Sequence, residues 1–173
     1  MKRLISLFLC MILLCGCGKP SNPTDQVSER LGTDASDFSV TTYYETHGGF
    51  HGDGETVLIM ALTPEQEERL LKDTENHFCR FDLPFSNAIS AVLYGGYMDH
   101  GGVERYHSPL FTRDNGDPIV PEITNGFYLF YDRHSESTDP SSDFRLHYRS
   151  SWNFDLAVYD ADTQTLYYLV FDT

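Results

Sequence analysis

His47, His51 and Asp53 fall within one glycine-rich stretch, Thr46-His47-Gly48-Gly49-Phe50-His51-Gly52-Asp53-Gly54. Imidazole and carboxylate groups are the ligands of catalytic zinc sites, and two histidines four apart share one face of a helix. Gly48, Gly49 and Gly52 argue against a helix here. A metal set would therefore have to close as a loop, with His100 or His107 as a fourth ligand. The competing reading has no cofactor: a loop that needs glycine for positive φ, with its histidines in solvent. Asp114-Asn115-Gly116-Asp117 and Asp160-Ala161-Asp162 are oxygen-rich, which raises calcium. An EF-hand needs Gly at its sixth position and Glu at its twelfth. Counted from Asp160, those positions hold Thr165 and Phe171, so a turn is the better reading. Asp132-Arg133-His134 is a polar cluster expected to be solvated at a strand end. No G-x-S-x-G elbow, P-loop, H-E-x-x-H or dinucleotide fingerprint occurs. With 26 acids, no carboxylate pair can be singled out for glycosidase chemistry.

Charge narrows the partners. Lys and Arg number 12 against 26 Asp and Glu, a formal net charge of −14 over 173 residues. That excludes a nucleic-acid binder working by phosphate neutralisation. It also argues against adhesion to an anionic lipid surface through basic side chains.

The N-terminus points to a membrane by another route. Met1-Lys2-Arg3 is basic, and Leu4 to Leu14 is an apolar run. A spanning helix needs about 20 apolar residues, so this shorter run reads as the core of an export signal. Leu14-Cys15-Gly16-Cys17 resembles the lipobox of bacterial lipoproteins. The resemblance implies cleavage before Cys17, a diacylglyceryl thioether on its sulfur and acylation of the new amino group. Two or more acyl chains hold a protein stably on a bilayer, whereas one does so marginally. The implied location is the extracytoplasmic face of the cell membrane. Of the four cysteines, Cys10 and Cys15 would leave with the leader and Cys17 would carry lipid. Cys79 would remain alone, expected as a small buried hydrophobe; the alternative is a reactive thiol beside His77.

The elements that must position these groups follow from periodicity. Residues 1–16 are the leader, and 17–37 read as a lipidated cysteine with a flexible polar tether. Residues 38–173 read as one globular domain. Phe38 to Thr46, Glu55 to Leu62, Ala88 to Tyr94 and Gly126 to Arg133 predict strands. Asp53-Gly54 suits a hairpin turn. Thr63-Pro64-Glu65-Gln66 is a helix start with a capping box, and the helix is predicted over 64–77. Residues 97–120 are loop-like, with Glu104 to His107 as a short edge strand, and Phe144 to Arg149 is a further edge segment. Trp152, Phe154, Leu156 and Val158 alternate with Asn153, Asp155, Ala157 and Tyr159, and Leu166 to Phe171 is a second apolar run. A four-residue hairpin loop joins them. The fold class is α+β: a mainly antiparallel sheet with one helix packed on one face. The 11 Tyr and 12 Phe concentrate in these strands, where they serve packing, with a sugar-stacking platform as the alternative.

Three segments carry a resemblance: Thr46 to Glu55; Asn125-Gly126-Phe127-Tyr128 with Asp132-Arg133-His134; and Asn153 to Asp160 with Leu166-Tyr167-Tyr168 and Phe171-Asp172-Thr173. Together they resemble an uncharacterised group of small membrane-attached, lipid-anchored proteins of low-GC Gram-positive bacteria. The resemblance spans most of residues 43–173 and implies location and single-domain organisation, not an activity. The reading of the whole chain is a lipid-anchored, non-enzymatic binding module of the cell envelope. Its partners would be the membrane, through Cys17, and an envelope protein or ligand meeting loops 47–54 and 95–125. Two alternatives stand beside it: a metal-dependent envelope enzyme using His47, His51 and Asp53, and an immunity or inhibitor protein whose acidity suits a basic target.

Overall fold

The computed structural model describes residues 22–48, 52–99 and 102–173. The leader, Cys17, His51 and His100 lie outside these. Six strands form one antiparallel sheet: β1 (Ser39–Glu45), β2 (Gly54–Ala61), β3 (Arg80–Asp82), β6 (Gly126–Asp132), β7 (Asn153–Asp160) and β8 (Thr165–Asp172). Their order across the sheet is β1-β2-β8-β7-β6-β3. A separate two-stranded hairpin pairs β4 (Gly96–Asp99) with β5 (Glu104–His107). Among the described residues there are three α-helices: α1 (Pro23–Leu31), α2 (Pro64–Thr74) and α3 (Asn87–Tyr94). The chain is α+β and mainly antiparallel. Among the described residues no helix is long and apolar enough to cross a membrane.

Strand alternation sends side chains to two apolar layers. Phe130, Phe154, Leu156, Val158 and Leu169 join one, with Ala88, Ile89, Val92 and Leu93 of α3 and with Phe111, Ile119 and Val120 from the long loop. Leu58, Met60, Phe127, Ala157, Tyr159, Tyr168 and Val170 join the other, with Val27 and Leu31 of α1 and Leu70 of α2. Both faces are covered, so three helices take the place of the single helix expected. Gly126 marks how tightly β6 and β7 approach: at φ 151° a Cβ there would lie 1.9 Å from the Tyr159 carbonyl oxygen.

α2 forms as its capping box requires. The Thr63 hydroxyl accepts from the Gln66 N–H, and the Gln66 side chain accepts from the Thr63 N–H. It ends at Thr74, earlier than the predicted 77, where the buried Thr74 hydroxyl donates to the Leu70 carbonyl at 2.7 Å. Ala88 to Tyr94, expected as a strand, is helical. Its Ser86 hydroxyl caps the Ile89 N–H, and the all-round apolar run packs as a buried helix. Phe144 to Arg149, expected at an edge, makes a 3-10 turn over Leu146–Tyr148 that drops Leu146 into the core. Glu104 to His107 pairs as expected, with β4. The β7–β8 loop has four residues, Ala161 to Gln164.

The largest departure is at 23–31, expected within the tether. Asn22 and Asp25 form a reciprocal capping box, Pro23 opens the helix and Gly32 closes it at φ 67°. Only Val27 and Leu31 are large and apolar, yet both are 0% exposed. Four residues apart, they share one helix face, enough to dock α1 on the sheet. Cys79 is 1% exposed, and burial pushes its thiol up to about 12, so it behaves as a small hydrophobe.

Truncation measures whether α1 belongs to the core. Leu31→Ala is expected to lower unfolding stability by about 2–5 kcal/mol, read from the urea midpoint. A midpoint equal to wild type would return this segment to the tether.

Candidate functional site

The sheet face under α1 changes character along the strands. At one end Met60, Tyr159 and Leu166 are apolar; toward the other, Thr56, Asp155 and Asp172 occupy the same face, with Arg133 just beyond β6. Asp155 is 1% exposed and accepts from two guanidinium groups. Arg30 of α1 reaches it through Nε, and Arg133 does so through Nε at 2.6 Å. Arg133 Nη2 continues to Asp172 Oδ1 at 2.8 Å. Asp172 Oδ2 lies 3.7 Å from His47 Nδ1, which also meets the Gly52 carbonyl at 3.0 Å. Charges of alternating sign thus run from α1 across the sheet to the first histidine singled out in the sequence. Arg30 stacks 3.9 Å over the Tyr131 ring, which fixes its planar head. Buried beside this chain, the Tyr168 phenol is pushed above its ordinary value by desolvation, with the Asp155 charge adding to it.

A cleft of about 420 Å³ opens at the His47 end. Tyr43, Glu45, His47 and Asp172 supply one wall, and Asn22, Pro23 and Gln26 at the start of α1 supply another. The Tyr43 hydroxyl donates to Glu45 Oε2 at 2.7 Å. This constellation combines imidazole, carboxylate and hydroxyl groups, and its carboxylates can accept from a donor-rich ligand. Asp53 is exposed across the hairpin from His47, and its carbonyl accepts from the Gly48 N–H at 3.4 Å, while His51 of the same set lies outside the described residues. Among the described residues, no group of three or more His, Cys, Asp and Glu is arranged to hold a metal ion. His107 lies elsewhere, its ring 5.7 Å from Trp152.

Asp132-Arg133-His134 is expected in solvent, and the structure instead buries Asp132 and half-buries Arg133 and His134. Neighbouring residues of a strand face opposite ways, so Asp132 points away from Arg133. It is 2% exposed and takes both terminal nitrogens of Arg149, at 2.9 and 2.5 Å. Burial pushes the Asp132 carboxyl up, but hydrogen bonds from Arg149 and Ser137 and the His134 N–H outweigh it and hold the group below its ordinary value. His134 Nε2 meets the Ser151 hydroxyl at 3.1 Å.

Sequence reasoning found His47 and missed Arg30, Arg149, Asp155 and Asp172. Asp155 carried a readable signal, since an acid within a strand apolar on both faces needs a buried cation. Which cation it would meet is not local: Arg30 lies 125 residues away.

Acid titration tests the buried pair. A carboxyl whose folded value is depressed stabilises above its unfolded value, and that stability is lost as pH falls through the folded one. Wild type is therefore expected to lose stability as pH drops below about 4. Asp132→Asn should be less stable at neutral pH, with Arg149 left unpaired, and should show a flatter acid limb. An acid limb as steep as wild type in urea midpoints would show that Asp132 does not contribute to it.

No protein-family model matches this chain, and neither curated proteins nor solved structures give a significant match.

Proposed function

We propose that the chain is a lipid-anchored protein of the extracytoplasmic face and that its domain is a non-enzymatic binding module of the cell envelope. The observation that carries this reading is the start of the sequence: a basic tripeptide, a short apolar run and Leu14-Cys15-Gly16-Cys17. Support for binding comes from the domain. Two open clefts lie at one end of the sheet, and its long loops rest on a sheet buried on both faces.

Packing of α1 alters the geometry of attachment. Four residues, Gly18 to Ser21, separate Cys17 from the Asn22 cap. Even fully extended, the chain from Cys17 to Asn22 spans at most about 17 Å. A tether running to residue 37 would give far more slack. The domain is therefore held close to the bilayer, with the cleft lined by Asn22, Pro23 and His47 at the anchored end. The excess of acid over base keeps its surface from lying flat on anionic lipid.

Two measurements test this reading. Cys17→Ser is expected to abolish incorporation of a fatty-acid probe and release the protein from the membrane fraction; unchanged labelling overturns the anchor. Elemental analysis of the purified protein is expected to find no stoichiometric zinc. Stoichiometric zinc that disappears in His47→Ala would replace the binding module with a metal-dependent enzyme using His47, His51 and Asp53.

A further inference from the structure

We infer that a second cleft, between β5, residues 148–152 and the end of β8, binds a small carboxylate-bearing ligand with a flat, apolar body. Its volume is about 620 Å³, within the range of small-molecule sites. Trp152 and Phe171 form an aromatic wall with ring centroids 6.3 Å apart, and the His107 ring borders Trp152. Such a wall accepts a ring or a short apolar chain by contact.

The polar groups define the rest. Arg149 lines this cleft with its side chain only 6% exposed. Two of its nitrogens are committed to Asp132, while its Nε–H is buried without a partner. Trp152 lines the same cleft, and its indole Nε1–H is likewise buried without a partner. Buried donors are normally satisfied, and leaving one unmade is costly. Guanidinium and indole only donate, so a ligand that displaces the atoms covering these two nitrogens and completes them must bring an acceptor. Exposed Arg105 adds a cation at the rim. Asp132 already neutralises Arg149, so the uncompensated charge is that of Arg105. That balance favours a monoanion over a phosphate dianion, and a carboxylate fits it. Two sources share this chemistry, an aromatic amino-acid carboxylate and a uronic acid, whose pyranose ring also offers a flat apolar face.

This inference rests on the binding reading of the domain and not on the lipid anchor, so the Cys17 result and the result below can fail separately. Trp152 is the single tryptophan, which gives one indole N–H resonance in a ¹⁵N spectrum of the full chain. The probes are N-acetylphenylalanine against its neutral amide, and galacturonate against galactose, at millimolar concentration. One acid or both should shift the indole resonance and the Arg149 Nε–H, while the neutral partner leaves them in place. Whichever acid acts identifies the source. Trp152→Phe keeps the ring and removes the donor; about tenfold weaker binding is expected, read at Arg149 Nε–H. Arg105→Gln, at an exposed position, should weaken the acid by a similar factor and supplies the test should Trp152→Phe fail to fold. No shift with either acid, or equal shifts with acid and neutral partner, overturns the site.

Discussion

A sheet that is apolar on both faces has to be roofed twice, and most of this structure follows from that requirement. β7 and β8 are buried along nearly their whole length, so neither face can be left to water. α3 and the loop around Phe111 to Ile123 cover one side. α1 and α2 cover the other, where Val27, Leu31 and Leu70 meet Leu58, Tyr168 and Val170. α1 covers charge as well as carbon. Without it, Asp155 would keep Arg133 but lose Arg30, and a carboxylate in the middle of a strand would be poorly compensated.

How much of this was legible in the chain depended on how local the cause was. α2 was readable because its cap, its proline and its inward stripe are adjacent in sequence. β6, β7 and β8 were readable from apolar runs long enough to admit only buried elements. Ala88 to Tyr94 was ambiguous in kind: an apolar run of this length fits a buried helix or a buried strand, and Ser86 as a cap was the deciding residue. α1 was hidden by composition. Its surface is polar, and two apolar residues at helical spacing are a faint signal until a partner face exists. In the candidate site, His47 announced itself by residue type. Its neighbours Asp172 and Arg133 are brought by strand pairing, which a single sequence does not disclose.

The two clefts are linked through consecutive residues. Asp132 and Arg133 leave β6 toward opposite faces, the first to Arg149 and the second to Asp155 and Asp172. Phe171 and Asp172 do the same on β8, the first lining the aromatic cleft and the second the cleft of His47. One end of the sheet thus carries a polar site on each side, with the heads of Arg30, Arg133 and Arg149 tied to Asp155, Asp172 and Asp132. In a chain so acidic overall, the few cations are spent on internal order, and Arg105 stands out as one with an exposed position at a cleft.

β8 lies between β2 and β7, although it is the last of the six to be synthesised. With only β1, β2, β3, β6 and β7 of this sheet in place, β2 has no neighbour on its inner side. The pair β1-β2 and the trio β7-β6-β3 meet only through β8, so the two halves of the sheet become one body when that strand enters between them.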